Sequence, residues 1–396
     1  MARIMVYSLV ALIVAPLALV VGGAPSARTP AASLRPSFAS PRAAASVLNG
    51  SLLIVDQQGD RSTQVQIGAG HDEILALQDG AIRVVAQGLT ATCCGFGGLA
   101  PSPRGRYIAF SQEPKGLDKP PTEGLWLVST NGVGLRRLLL PPPAARLRNP
   151  DRYGEPLSIA PIAWSPDRYT LAYAVDLFTD TPTNPDFAHD AGIWLTRYDQ
   201  GTTRQVFKLV SIATAAPRLN ALCRGTVPLI EELSWRPDGR TVVASASCIP
   251  LGPGPLVNVR AIVAVDTLTG KGEVLVTPGR DAAVAPTTGR LTYVTGSLDL
   301  HGRGRTTLWV ADAQGQHARP LVTGQGLQGQ IGSPTWSPDG RSIAYITGQA
   351  GFGNATTTIC VVDVATGQSR TVLTPQAPGL PVGSYFVRLA WMHALL

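Results

Sequence analysis

Lysine is scarce in this chain: four residues, at 115, 119, 208 and 271, among 396. Charged residues make up only 15%, and the formal net charge of +7 comes from arginines scattered through turns and strand edges. No Lys/Arg run interleaves with aromatic residues, so a nucleic-acid groove is excluded; the basic balance leaves room for non-specific attraction to acidic polymers or lipid surfaces. Catalytic signatures are missing too. There is no G-x-S-x-G elbow, no H-E-x-x-H, no P-loop, and no G-x-G-x-x-G in a strand-to-helix context. The five cysteines do not have the spacing of a zinc site. A soluble enzyme built on one of these motifs is therefore not expected.

What the chain does have is proline, glycine and a repeat. Pro334-Thr-Trp-Ser-Pro-Asp-Gly-Arg-Ser-Ile-Ala-Tyr345 reads as a strand ending at Trp336, a turn, and a second strand ending at Tyr345. Pro338 presets φ for the turn, and Gly340 supplies the positive φ that other residues resist. Further copies run from Pro161 to Tyr173 and from Glu232 to Ala244, with weaker ones at Leu99–Phe110 and Ala283–Val294. The turn prolines at 103, 166, 237, 286 and 338 are unevenly spaced, as in an array with insertions. Each copy is followed by a second hairpin. The clearest are Leu308-Trp-Val-Ala-Asp312 reaching Gly315 and Ile359-Cys-Val-Val-Asp363 reaching Gly367. Two hairpins make a four-stranded antiparallel blade, with strands A to D. Radial repetition of such blades is a β-propeller.

The ends complement each other. Residues 51–89 supply strands B, C and D with no Trp-type strand A, and Phe386-Val-Arg-Leu-Ala-Trp-Met392 is a strand A with no hairpin after it. The prediction is an all-β fold: a six-bladed β-propeller of four-stranded antiparallel blades, closed by pairing the C-terminal strand with the N-terminal blade. Trp164, Trp235, Trp336 and Trp391 recur at one strand position and read as inter-blade core, as do Trp126, Trp194 and Trp309 on strand C. Asp167, Asp238 and Asp339 read as turn formers.

These motifs resemble the WD40-like repeats of TolB-type propellers, over residues from about 49 to 393, most specifically at Trp336–Tyr345. The resemblance implies the propeller fold and an extracytoplasmic scaffold role, without implying one reaction. Related propellers also stand in front of prolyl-peptidase-like hydrolase domains; no such domain is expected after this one.

Residues 1–22 read as a signal peptide or N-terminal membrane anchor, with Arg3 ahead of an uncharged apolar run from Ile4 to Val21. No Cys follows the run, so a lipoprotein box is absent. Residues 23–47 are an Ala/Pro/Ser-rich tether, and 48–396 are the propeller. Either fate of the leader puts the propeller outside the cytoplasm, periplasmic, secreted or membrane-anchored. In an oxidising compartment Cys223, in the loop entering blade 4, and Cys248, ending strand B of that blade on the same face, are expected to pair. Cys93 and Cys94 form a vicinal disulfide or leave one thiol free, and Cys360 reads as a buried thiol.

Short A–B and C–D turns share one face; B–C and D–A connections share the other, which holds the long insertions. Long loops on a rigid scaffold are where binding sits. Candidate binding residues are Arg152, Tyr153 and Glu155 in 140–157, Asp180, Asp186, His189 and Asp190 in 176–191, and Arg218 and Arg224 in 211–229. Glu231 and Glu232 enter strand A of blade 4 near the channel mouth. His71-Asp72-Glu73 and His189-Asp190 read as exposed polar loop residues. The expected function is an exported scaffold that binds an envelope or extracellular protein through this loop face, or a small ligand or glycan, with no cofactor. The alternative is a metal-dependent propeller hydrolase or lactonase. Some six-bladed lactonases hold Ca²⁺ over the channel, where this chain offers Glu231, Glu232, Gly97, Gly98, Ser158, Asp281, Ser333 and Arg388, a set poor in ligands.

Overall fold

A computed structural model describes residues 50–58, 72–87, 96–112, 124–139, 158–176, 191–208, 211–223, 228–248, 259–298, 303–349, 356–380 and 384–392. Its strands form six four-stranded antiparallel sheets. Blade 1 holds β1 (Ser51–Gln58), β2 (Asp72–Gln78) and β3 (Ala81–Gln87); blade 2 runs from β4 (Phe96–Pro101) through β5 (Tyr107–Gln112) and β6 (Gly124–Ser129) to β7 (Arg136–Leu139). Blade 3 comprises β8 (Ser158–Trp164), β9 (Thr170–Asp176), β10 (Gly192–Arg197) and β11 (Thr203–Lys208). Blade 4 comprises β12 (Pro228–Trp235), β13 (Thr241–Cys248), β14 (Val259–Asp266) and β15 (Gly272–Val276). Blade 5 follows with β16 (Arg280–Val284), β17 (Leu291–Leu298), β18 (Gly304–Ala311) and β19 (Arg319–Gln325); blade 6 has β20 (Ile331–Trp336), β21 (Ser342–Gln349), β22 (Thr356–Asp363) and β23 (Ser369–Leu373).

The ring closes as the sequence implies. The last strand, β24 (Ser384–Met392), pairs antiparallel with β1, from Ser51 opposite Met392 to Gln58 opposite Ser384. The Ser384 hydroxyl donates to Oδ2 of buried Asp56 at 2.7 Å, tying the two chain ends together.

The turns follow the residues that form them. Asp238 Oδ1 accepts from the N–H groups of Arg240 and Thr241, both at 2.8 Å, and Asp167 does the same for Tyr169 and Thr170. These aspartates are structural acceptors, and the bonds hold the Asp167 and Asp238 carboxyls below the usual range against the opposing effect of burial. The position after the aspartate takes positive φ. Gly239 and Gly340 fill it in blades 4 and 6, while in blade 3 Arg168 adopts φ 74° there.

Six apolar clusters lie between neighbouring blades. Trp164, Trp235, Trp336 and Trp391 are all buried in them. The indole N–H of Trp235 donates to the Ala163 carbonyl of the preceding blade at 3.2 Å, and Trp336 repeats the contact with Ala283. Trp126, Trp194 and Trp309 are less buried than expected. Trp194 and Trp309 instead stack on their cross-strand partners Tyr173 and Tyr293.

Two features were not legible beforehand. Strand A has one edge outside the ladder, and hydroxyls of the preceding blade satisfy its N–H groups: Ser234 accepts from Val284, Ser245 from Ala282, Thr306 from Ile331, and Thr357, Ser333 and Thr335 from Phe386, Leu389 and Trp391. Several arginines brace the blades by donating to turn carbonyls: Arg204 to Thr267 at 3.0 Å, Arg236 to Ala313 and Arg319 to Val364.

The 211–229 insertion is not a plain loop. It contains α1 (Ile212–Ala215) and α2 (Pro217–Cys223). Ile212, Ala216, Leu219 and Cys223 recur at helical spacing and bury against blades 3 and 4. Pro217 opens α2, where its missing N–H costs nothing. A Cys223–Cys248 disulfide, with Cα atoms 5.2 Å apart, fixes α2 to β13. Cys360 is a free, buried thiol, and burial raises its pKa. Cys93 and Cys94 lie outside the described residues.

Candidate functional site at the channel mouth

The innermost strands share one irregularity. Their A–B ladders slip at the same step: between Phe96 and Gly98, Ile159 and Ile162, Ile230 and Glu232, Arg280 and Ala283, Gly332 and Thr335, and opposite Val55 and Asp56 in blade 1. A bulge re-aims side chains that a regular strand would alternate. Asp281 and Ser333 occupy equivalent bulge positions in blades 5 and 6, with φ 50° and 47°, a conformation costly for non-glycine residues.

The bulges gather a charged cluster from three blades. Arg388 Nη1 on β24 donates to Glu232 Oε1 on β12 at 2.6 Å. Blades 1 and 4 stand opposite each other in a six-membered ring, so this ion pair crosses the channel. Arg280 Nη1 pairs with Asp281, and its Nη2 donates to the Ile331 carbonyl at 2.9 Å. Arg280 Nε is buried with no acceptor among the described residues.

Burial pushes the Glu232 carboxyl up to about 7; Arg388 lowers it, while Asp281 and Glu231 raise it further. The side chain keeps a quarter of its surface accessible, but it lies deep among protein atoms. It therefore changes charge near neutral pH. Beside the pair is a cavity of about 290 Å³, with Arg280, Asp281 and Ser333 on its polar side and Ile331, Ile346 and Phe386 on its apolar side. The starts of β16, β20 and β22 and the end of β21 line it, so it opens on the face of the B–C and D–A connections. Among the described residues no three His, Cys, Asp or Glu side chains are grouped to hold a metal. The mouth can instead accept a side chain with an anionic or hydrogen-bonding end and an apolar stem.

Of the candidates from sequence, Glu232, Asp281, Ser333 and Arg388 come together here, with Glu231 in the bulge beside them. Arg280 was missed; a charged residue just ahead of Asp281 at the start of a strand A was the available signal. Arg218 is exposed on α2, away from this cluster's strands. Glu73, read as an exposed loop residue, is buried on β2 because strand C begins at Asp72, two residues before the expected start at Ile74. Arg152, Tyr153, Glu155, Asp180, Asp186, His189, Asp190 and Arg224 lie outside the described residues.

Fold and mouth define a six-bladed β-propeller whose central channel is crossed by an ion pair and opens on the insertion-bearing face. In its repeats the chain is similar to TolB proteins. The chain is 35% identical over 116 residues to the Tol-Pal system protein TolB of Chromobacterium violaceum, covering 26% of this chain and 25% of that protein. It is 37% identical over 83 residues to TolB of Albidiferax ferrireducens (21% and 17%) and 40% over 74 residues to TolB of Coxiella burnetii (19% and 15%). It thus spans a quarter or less of these relatives' length. No family model matches. Among solved structures, a chain of a nidogen/laminin complex aligns with TM-score 0.49 at 13% identity, covering 86% of this chain and 98% of that one. A putative TolB from Agrobacterium tumefaciens aligns with TM-score 0.46 at 15% identity (82% and 90%).

Proposed function

We propose that this chain is an exported binding scaffold that takes an envelope or extracellular protein on the face carrying the B–C and D–A connections. Residues 1–22 direct export, by cleavage or as a retained anchor, and 23–47 tether the propeller. The observation that carries the reading is the 290 Å³ cavity on that face, part polar and part apolar, beside a charged pair that a partner group can exchange with. A propeller supplies the rigid frame, and its loops supply specificity. No cofactor is assigned.

Gly332 gives a test. A Cβ there would meet only Asp281 Oδ2 at 3.5 Å and Arg280 Nη1 at 4.0 Å, so a larger side chain can be introduced at the mouth without a backbone clash. Tagged full chain, Gly332→Phe, and a variant with 176–191 shortened would be compared in affinity capture from envelope extract. A stoichiometric partner lost from both variants, with melting temperatures unchanged, supports the reading. Equal capture by all three overturns it.

A second reading, a propeller hydrolase, draws on Glu232, whose neutral form is accessible near pH 7 as a general acid requires. It expects turnover of an ester or lactone panel that Glu232→Gln abolishes. Calcium raising the melting temperature would favour its metal-dependent form.

A further inference from the structure

A larger cavity, about 370 Å³, lies on the opposite, short-turn face, in the groove between blades 3 and 4. Arg197, Arg204 and Arg240 converge on it, Thr170 and Thr203 add hydroxyls, and Trp235 forms part of its wall. The lining carboxylate is Asp167, whose oxygens are already taken by the N–H groups of Tyr169 and Thr170 and by the Thr170 hydroxyl.

The other five blades show which of these residues the architecture requires. Every C–D ladder slips at the same step, so positions align without ambiguity. The Arg204 position is Arg83, Arg136, Arg319 and Arg370 in blades 1, 2, 5 and 6, and Glu273 in blade 4, so this arginine belongs to the repeat. The Arg197 position does not. It is Asp266, Asp312 and Asp363 in blades 4, 5 and 6, Ser129 in blade 2 and Gln78 in blade 1. The position before it, apolar elsewhere as Leu77, Val128, Val265, Ala311 and Val362, holds the hydroxyl of buried Thr196.

The A–B turn departs with it. In blade 4 the Arg240 and Asp266 side chains make an ion pair at 2.6 Å. In blade 3 the same two positions hold Tyr169 and Arg197, and the guanidinium lies 5.2 Å from the ring centroid. Tyr169, 45% exposed, stacks on Tyr198 with ring centroids 6.2 Å apart. Blade 3 has therefore exchanged a cross-turn Arg–Asp pair for a guanidinium that pairs with Asp199 instead and lies by an exposed aromatic platform beside the groove. Leu268, 69% exposed, lies on the blade 4 rim.

We propose that this groove is a second binding site, for an acidic segment of a partner protein. Its carboxylates meet the three guanidiniums, and an adjacent apolar side chain lies on Tyr169 and Leu268. Arg197 and Arg240 already carry Asp199 and Asp266 as partners. Those pairs are partly exposed and weak, so an incoming carboxylate exchanges with them. Arg204 bonds the Thr267 carbonyl and leaves further donors of its fork for an anion. Exposed tyrosine beside arginine is the composition of interaction hot spots.

The repeat supplies the control. Tyr169→Arg combined with Arg197→Asp installs blade 4's own pair, and Arg197 precedes Gly201 by the same spacing as Asp266 precedes Gly270. The melting temperature should hold. The probe is a fluorescein-labelled dodecapeptide alternating Asp or Glu with Leu or Phe, with its Asn/Gln isostere, read by anisotropy on the full chain. The acidic peptide should bind, the isostere and the double variant should each bind at least about tenfold more weakly, and added salt should weaken binding. Equal binding of the isostere, equal binding by the folded double variant, or no saturable binding up to about 1 mM overturns the proposal. Binding of trigalacturonate or inorganic phosphate in place of the peptide does so too. If the double variant fails to fold, Arg197→Gln, the residue type of blade 1, takes its place with the same criteria.

Discussion

Glu232 makes a quantitative demand on the stability of this propeller. Its carboxyl is raised from 4.5 to about 7, chiefly by burial. A carboxyl raised on folding binds its proton more tightly in the native state, so between these two values the native state holds more protons than the unfolded chain. Stability is then highest below pH 4.5 and falls as pH rises through 7. The shift is 7 − 4.5 = 2.5, taken from one residue in both states. At about 1.4 kcal/mol per unit this is about 3 kcal/mol, an order-of-magnitude figure because Arg388 is coupled to the same group. Glu232→Gln removes the titration. It also leaves Arg388 without its carboxylate, but that cost is the same at every pH in the window, because arginine stays charged. The variant's stability relative to the parent should therefore rise by about 3 kcal/mol from pH 4.5 to 8, whatever its starting offset. Urea unfolding of both proteins across that range measures it. Parallel stability curves would refute the claim that burial outweighs the cross-channel pair.

Three other perturbations test the frame. Removing residues 387–396 deletes most of β24, the inner strand of blade 1 and the partner of β1; the truncated chain should be insoluble or lack a cooperative transition by calorimetry. Cys223→Ser with Cys248→Ser opens a link between residues 25 apart and should cost about 3 kcal/mol in chemical denaturation, with protease cleavage appearing near α2. Trp235→Phe loses the bond to the Ala163 carbonyl, whereas the indole N–H of Trp164 has no acceptor among the described residues. Trp235→Phe should therefore destabilise more than Trp164→Phe, by about 1 kcal/mol, and equal losses would remove the bond's role.

Sequence reading worked where structure is local. A turn at Ser337-Pro338-Asp339-Gly340 depends on ring geometry, a short acceptor side chain and positive φ, all carried by those residues. It was misled where burial depends on distant segments. Trp194 looked equivalent to Trp235, but strand C lies farther from the neighbouring blade's inner strand, and Trp194 pairs with Tyr173 instead. The helices in 211–229 were readable from the spacing of Ile212, Ala216, Leu219 and Cys223, a signal hidden by the expectation of a loop.

The sequence by itself determined five copies of a strand–turn–strand unit, a sixth split between the chain ends, the closure of the ring by its own last strand, and the candidate disulfide, because repeat spacing and turn chemistry are written along the chain. Only the tertiary structure decided that Glu232 and Arg388, 156 positions apart, meet across the channel, that bulges bring Arg280 and Asp281 beside them, and that Tyr169 and Arg197 break the repeat at one groove. These depend on ring closure and ladder slips, which bring distant side chains within a few ångströms and set the burial that moves a carboxyl toward neutrality.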